Sequence, residues 1–461
     1  NQKKFHMPTA YTILFLLLIL VAAATWIIPA GSYDYVDGVP VAGTYHTVEQ
    51  NPQGVGDVLK AAFSGFYDAV DVCIFILMVG GFLGVVMKTG AVDAGVGNVI
   101  RLLGGREKWL IPILMLLFGL GGTTYGMWEE TMAFYPLLIP VFLAAGYDAV
   151  VGISVILLGA GAGVIASTVN PFATGIAAGF AGVSLGEGIV LRLLEWVAFE
   201  AAAIWFVMAY AAKVKKNPSK SVVGVGAGKI QVSMDQQVPF TAKRKVIMAL
   251  FTLTFLIMVY AVVPFDEMGL SLPALGWWFP ELSALFLVAG VVIGLIDRMS
   301  EEELVETYVA GCADLLGVAF IIGISRGITV LMNDGAITDT VLHWGEQALS
   351  GAGAISFTLL VFALYLPLTI LIPSSSGLAT LSIPIVAPLG KFAGVGGDLV
   401  VTAFQSASGL VNIITPTAAV VMGALALGHV PYDRWVKYVW KLILWFLLLA
   451  LAFLVAGVLL G

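Results

Sequence analysis

The chain has 461 residues, 60% of them hydrophobic and only 11% charged, with a formal net charge of −7. Soluble globular domains carry roughly 25% charged residues, so this composition excludes a soluble enzyme and indicates an all-α polytopic membrane protein. The two cysteines, Cys73 and Cys312, both fall inside predicted spans and exclude a disulfide framework.

Apolar runs of about 20 residues, the length that crosses a bilayer, recur along the chain. The first, 11-YTILFLLLILVAAATWIIPA-30, is too long for a cleaved signal peptide. The sequence begins at Asn1 and not at a methionine, which reads as a trimmed start. Spans are predicted near 10–30, 60–88, 149–182, 189–212, 246–264, 281–297, 305–333, 397–428 and 435–460. Two more segments, 109–145 and 354–392, are hydrophobic but interrupted by polar residues; read as re-entrant hairpins, they leave nine full crossings. Of the 22 Lys and Arg residues, 18 then fall on one side, Lys60, Arg192 and Lys391 on the other, and Arg326 inside the membrane. Cytoplasmic loops carry the excess of basic residues. That places the N-terminus in the cytoplasm and the C-terminus outside, in a bacterial cytoplasmic (inner) membrane.

The chain also repeats itself. Gly90-Ala-Val-Asp93 is answered by Gly335-Ala-Ile-Thr338, 136-PLLIP-140 by 384-PIVAP-388, and 148-DAVVG-152 by 398-DLVVT-402. Asn170-Pro171 corresponds to Thr415-Pro416, and 191-LRLLEW-196 to 435-WVKYVW-440, the offset staying between 244 and 250 residues. Each repeat holds three spans and one hairpin, and an odd number of crossings turns the second copy upside down, the architecture of inverted-repeat secondary transporters. The expected organisation is an N-terminal span and outer loop (1–59), a first repeat (60–216), a cytoplasmic linker (217–245), two linking scaffold spans (246–304) and a second repeat (305–461).

Irregular backbone inside a membrane must face protein or a water-filled cavity, so the breaks mark the candidate site. The hairpin tips run from Gly121 to Thr131, including Gly122, Thr123, Thr124 and Tyr125, and through 373-PSSSG-377, with Ser374, Ser375, Ser376 and Gly377. The broken spans are 165-IASTVNPFATG-175, with Ser167, Thr168, Asn170 and Pro171, and 411-VNIITPTAAV-420, with Asn412, Thr415, Pro416 and Thr417. Proline removes a backbone donor. The carbonyls it frees can coordinate a cation, while half-helix N-termini attract an anion. The alternative at any one position is a Ser, Thr or Pro that only packs or kinks a helix.

Glu129 and Glu130 follow the first tip, and a charge at that depth is a functional candidate by default. Neighbours on a helix point about 100° apart, so one faces the cavity and the other caps the hairpin or accepts from Thr123 or Thr124; the bland alternative has both solvated at the cytoplasmic surface. The second tip carries serines instead of acids, which predicts a lopsided ligand with a cationic end, such as an amino acid with a basic side chain. Arg326 offers either a partner for a substrate carboxylate or a structural ion pair with a neighbouring helix, and Asp314 is a second intramembrane charge of either kind. Trp26, Trp109, Trp196, Trp277, Trp278, Trp435 and Trp440 read as interface anchors. His6, His46, His343 and His429 show no metal-ligand spacing, so no metal is expected.

The tip GTTYGMWEET, the broken span STVNPF, the second tip PSSSG and the closing NIITPT resemble the anaerobic C4-dicarboxylate carrier family. Within it the chain looks closest to the branch of basic amino acid antiporters that includes arginine/ornithine exchangers. The resemblance covers nearly the whole chain and implies the ion transporter superfamily fold: opposed hairpins in two inverted repeats, and a homodimer whose transport domain moves like an elevator. It implies a site between the two tips and the two broken spans. Related carriers show Ser-Asn-Thr at each tip. Here the tips read Gly-Thr-Thr and Ser-Ser-Ser, which leaves Asn170 and Asn412 to supply that chemistry.

Two functions are therefore carried forward: an antiporter of arginine, ornithine or lysine, and a Na⁺- or H⁺-coupled carrier of C4-dicarboxylates or other carboxylates. A small-molecule substrate, the bilayer and a second copy of the chain are the expected partners, with no nucleic acid, and no cofactor beyond a coupling Na⁺ or H⁺. An intramembrane hydrolase would need a nucleophile with its base, or a metal pair, and the predicted spans hold neither.

Overall fold

A computed structural model describes residues 10–37, 39–92, 94, 95, 98, 106–184, 186–224, 239–262, 271–277 and 279–460. These form seventeen α-helices and two small antiparallel strand pairs. In chain order the helices begin with α1 (Ala10–Ala24), α2 (Val55–Asp68), α3 (Val70–Lys88), α4 (Leu110–Tyr125), α5 (Tyr135–Ala144), α6 (Ala149–Ile165), α7 (Ile176–Ala181), α8 (Ile189–Lys216) and α9 (Ala242–Val262). They continue with α10 (Phe279–Asp297), α11 (Glu301–Asp334), α12 (Thr338–Leu349), α13 (Ala354–Leu371), α14 (Ser375–Phe392), α15 (Gly397–Asn412), α16 (Ala419–Leu427) and α17 (Tyr432–Leu460). By length and composition alone, α3, α10, α11, α13 and α17 are each apolar enough to cross a membrane. The middle of the predicted linker, 225–238, lies outside the described residues.

Each polar interruption read from the sequence is a break in helix. The first hairpin is α4 and α5, joined through a 3₁₀ turn over Glu129–Ala133; the second is α13 and α14, joined at Ile372–Ser374. The first broken span is α6, a π-helical turn at Pro171–Gly175 and α7; the second is α15 and α16. One break was not expected: the span predicted over 60–88 starts earlier, at Val55, and is interrupted at Ala69 (φ −120°, ψ 24°). Neither glycine nor proline marks it. Asp71 serves the new helix start by accepting from its neighbour Val72 N at 2.8 Å, one of the donors a helix N-terminus leaves free.

α6 and α15 form the centre. Every residue of α6 is buried, as is every residue of α15 except Asp398; a helix apolar all round belongs inside. Small residues bring the backbones together. A Cβ at Gly163 would lie 2.2 Å from the Gly119 carbonyl oxygen of α4, and one at Gly409 would lie 2.5 Å from Ile165 Cα. The same device pairs α2 and α3 with α11. A Cβ at Gly65 would meet Gly323 O at 2.1 Å, and one at Gly80 would meet Gly311 O at 2.5 Å. Numbers rise on one side of this seam as they fall on the other, so the helices run antiparallel.

α11 is the longest element, at 34 residues. Ser300 caps it, its hydroxyl accepting from Glu303 N at 3.1 Å, and Glu301, Glu302 and Glu303 fill the first turn, where the helix dipole favours acids. The helix α12 that follows was not expected either. It holds the loop after α1: Asp339 accepts from Tyr33 N (3.0 Å) and the Tyr35 hydroxyl (2.7 Å), and the Tyr33 hydroxyl donates to Glu346 (2.8 Å). Burial first, and then these carboxylates, push both phenols above their usual range.

Candidate functional site

The first broken span is tied to the first hairpin by threonine. Thr123 Oγ1 donates to Ala166 O (2.8 Å), and the Thr123 carbonyl accepts from Thr168 N (2.9 Å) and Thr168 Oγ1 (3.0 Å). Thr124 turns inward on its own helix and donates to Leu120 O at 2.6 Å. Gly122 lets α4 touch α6, since a Cβ there would lie 2.3 Å from Ala160 O. Asn170 packs against Gly126, whose φ of +77° and lack of a side chain leave room for it, and its Oδ1 accepts from Ala173 N at 3.3 Å. Ser167 is buried, and its hydroxyl has no hydrogen-bond partner among the described residues. The side chains of Tyr125 and Pro171 lie outside the described residues.

The second break, around Pro416, has its backbone satisfied from three directions. Trp435 Nε1 donates to Ile413 O (3.1 Å), the Tyr432 hydroxyl to Ile414 O (2.7 Å) and the Ser325 hydroxyl to Thr417 O (2.7 Å). The hydroxyls of Thr415 and Thr417 meet at 2.9 Å. At the second tip the serines build a helix start: Ser374 Oγ accepts from Gly377 N at 3.2 Å and lies 3.4 Å from Ser376 Oγ. Ser374, Ser375, Ser376 and Gly377 are all half-buried.

A cavity gathers a subset of these residues. Its walls are Ala69 and Val72 at the α2–α3 break, Trp128 and Glu129 from the first tip, Ser325 and Arg326 from α11, Pro373 from the second tip, and Asn412 and Thr417 from the second break. Of the residues expected at the site, the structure therefore brings together Glu129, Arg326, Asn412 and Thr417. The first break, the second tip's serines, Thr415 and Pro416 lie outside this cavity's walls. Asp314 is exposed on α11, twelve residues and about 18 Å of helix from Arg326. Ala69 was missed, because nothing in its local sequence signals a break.

The two acids part company. Glu129 is half-buried at the cavity wall, whereas Glu130 is 7% exposed and folds back, Oε2 accepting from Trp128 N at 3.1 Å. Glu130 is thus the cap of the tip. Arg326 Nε stands 3.7 Å from Asp68 Oδ2, so it has an acidic neighbour on α2 while it also lines the cavity. The wall accordingly offers one carboxylate and one guanidinium from different elements, together with an amide and a hydroxyl group.

The tryptophans need one correction. Trp26, Trp109 and Trp440 are half-exposed or more, as anchors are, but Trp435 is fully buried (0%) and bonds the second break; Trp278 lies outside the described residues. Trp435→Phe should therefore strand a buried carbonyl, at a cost of about 1–3 kcal/mol, and lower the melting temperature by several degrees. Trp440→Phe should leave it unchanged, and equal melting points for the two variants would refute this role.

Residues 7–459 match the family described as the C4-dicarboxylate anaerobic carrier. An uncharacterized protein of Haemophilus influenzae is 35% identical over 510 residues, covering 99% of this chain and 98% of that protein. The "Putative basic amino acid antiporter YfcC" of Escherichia coli (strain K12) is 30% identical over 484 residues, covering 94% and 93%. Among solved structures, the YdaH transporter of Alcanivorax borkumensis aligns with a TM-score of 0.44 at 15% identity, covering 96% of this chain and 98% of that one. MtrF of Neisseria gonorrhoeae aligns with 0.43 at 18%, covering 97% and 94%.

Proposed function

The chain belongs to the C4-dicarboxylate anaerobic carrier family, and on that premise we propose that this multi-pass membrane protein is a secondary transporter exchanging cationic amino acids such as arginine, ornithine or lysine. The observation that carries the reading is the shared wall of Glu129 and Arg326. A basic amino acid carries a cation at one end and an α-carboxylate at the other, and one acid and one guanidinium complement them. Asn412 and Thr417 supply neutral donors and acceptors. The relative named as an antiporter of basic amino acids supports the same substrate class.

Alternating access by two inverted repeats, 60–216 and 305–461, accounts for the paired hairpins and breaks. The antiparallel glycine seam supports it. With the sequence offset of about 246, Gly65 corresponds to Gly311 and Gly81 to Gly327. Gly65 touches Gly327 while Gly80, next to Gly81, touches Gly311, the reciprocal contact a two-fold axis produces. Residues 246–304 and the first span would form the scaffold, with 217–245 as linker, in an elevator-type homodimer of the bacterial inner membrane with a cytoplasmic N-terminus. The second reading is a Na⁺- or H⁺-coupled carrier of C4-dicarboxylates. The family description favours it, and so does Arg326.

A thermal-shift screen of the purified protein against arginine, ornithine, lysine, succinate and fumarate, with and without Na⁺, separates the two. A ligand that binds only the folded state stabilises it by about 2.7 kcal/mol at a hundred times its dissociation constant. We expect the basic amino acids to raise the melting temperature. A rise with dicarboxylates alone would replace this reading with the second.

A further inference from the structure

Two buried carboxyls on α8 lie outside the cavity and have no part in the reading so far. Glu195 is 0% exposed and Glu200 2%. Glu195 Oε1 accepts from the Ser406 hydroxyl on α15 at 2.7 Å, while Oε2 has no hydrogen-bond partner among the described residues. Neither oxygen of Glu200 has a hydrogen-bond partner there, and its Oε2 would lie 2.3 Å from a Cβ on Gly119 of α4. Buried polar atoms left unpaired are costly, and ionisable groups inside a membrane are kept where they act.

The charges around the two acids distinguish them. A group that takes up and releases a proton must be tolerable in both states. Arg192, one turn before Glu195, is 1% exposed and faces both Glu195 and Asp398. Arg192 Nη1 and Asp398 Oδ2 lie 3.5 and 3.0 Å from the same point beside Gly188. Two carboxylates thus lie in the field of one buried guanidinium. Among the described residues, Glu200 faces Trp196 and no charged group. Of the other elements against α8, α6 carries no ionisable side chain. α17 presents Phe446 to Phe199 (ring centroids 4.7 Å apart) and, further along, Tyr438 near Ser154.

We propose that Glu195 is a proton-binding site whose occupancy is coupled to the substrate cavity. A hydronium ion gives a proton to Oε2, the oxygen without a donor: one O–H bond of hydronium breaks, one forms on the carboxyl, neutral water leaves, and the site's charge rises by one; Arg192 is then left to Asp398. Asp398 is half-buried at the start of α15. Ser406, which bonds Oε1, lies six residues and about 9 Å before Asn412 on α15, and Asn412 lines the cavity. Glu200 touches α4, the arm that ends at the tip bearing Glu129. Through Glu195 and Glu200, α8 therefore touches α15, which carries Asn412, and α4, which leads to the first tip.

The coupling rests on the transporter reading above; proton binding does not. Full-length protein in liposomes on a capacitive sensor is given a pH step with no amino acid present. We expect a transient charge displacement in the native protein. It should be at least tenfold smaller in Glu195→Gln and retained in Glu195→Asp. A transient that persists in Glu195→Gln, or its absence from the native protein, overturns the proposal. If Glu195→Gln is not recovered folded, Ser406→Ala decides: losing that donor should move the midpoint of the transient by about one pH unit, and an unmoved midpoint overturns the site. No substrate enters this experiment, so its failure leaves the substrate assignment standing, and the ligand screen can fail without touching this result.

Discussion

Glu129→Gln is expected to weaken arginine binding about 30-fold or more while leaving the protein folded. Glu129 stands at the cavity wall, and removing one partner of a desolvated charge pair costs about 2–5 kcal/mol, each 1.4 kcal/mol being tenfold in affinity. Glu130→Gln should behave in the opposite way. Its carboxylate holds Trp128 N inside the first tip, so its loss should lower the melting temperature and leave the affinity of the folded fraction within a few-fold of native. Titration calorimetry on both variants reads the two effects separately. Arginine affinity retained in Glu129→Gln and lost in Glu130→Gln would exchange the two roles. Unchanged affinity in both would remove the first tip from the site.

The second large effect is structural. Gly65→Ala places a methyl group 2.1 Å from Gly323 O and 2.4 Å from Gly327 N. Both are backbone atoms of α11, so no rotamer change relieves the clash and the helices must separate. Overpacking of this kind costs about 1–3 kcal/mol. We expect a melting temperature several degrees lower, with transport falling in step if the seam is the frame against which the hairpins move. Gly179→Ala, on α7 with nothing within 4 Å of the new atom, is the control and should leave both unchanged. Should Gly65→Ala melt at the native temperature, the seam is looser than its geometry indicates.

Much of this arrangement was legible because breaks in apolar runs are costly in lipid. The two hairpin tips and both broken spans each carry proline, glycine or a cluster of hydroxyls, and each is a helix break. What stayed hidden depended on contacts distant in sequence. The break at Ala69 has no local signal. Trp435 looks like any anchor until Ile413, 22 residues away, is seen accepting its hydrogen bond. Arg192 counted with the outer side at the start of a predicted span, yet it is buried beside a carboxyl whose partner, Ser406, is 211 residues further on. The choice between Glu129 and Glu130 was also beyond the sequence, because the segment is a 3₁₀ turn in which one carboxylate curls back on its own backbone.

The length of α11 ties the protein to its surroundings. At 34 residues it is about 51 Å long, against a hydrocarbon layer of about 30 Å. A helix longer than the layer stands clear of it in part, leans, or thickens the lipid around it. α2 and α3 lie along α11 and follow any lean. Acyl-chain length thereby becomes a setting for the whole frame, and the host membrane's lipid composition a determinant of how the carrier stands at rest.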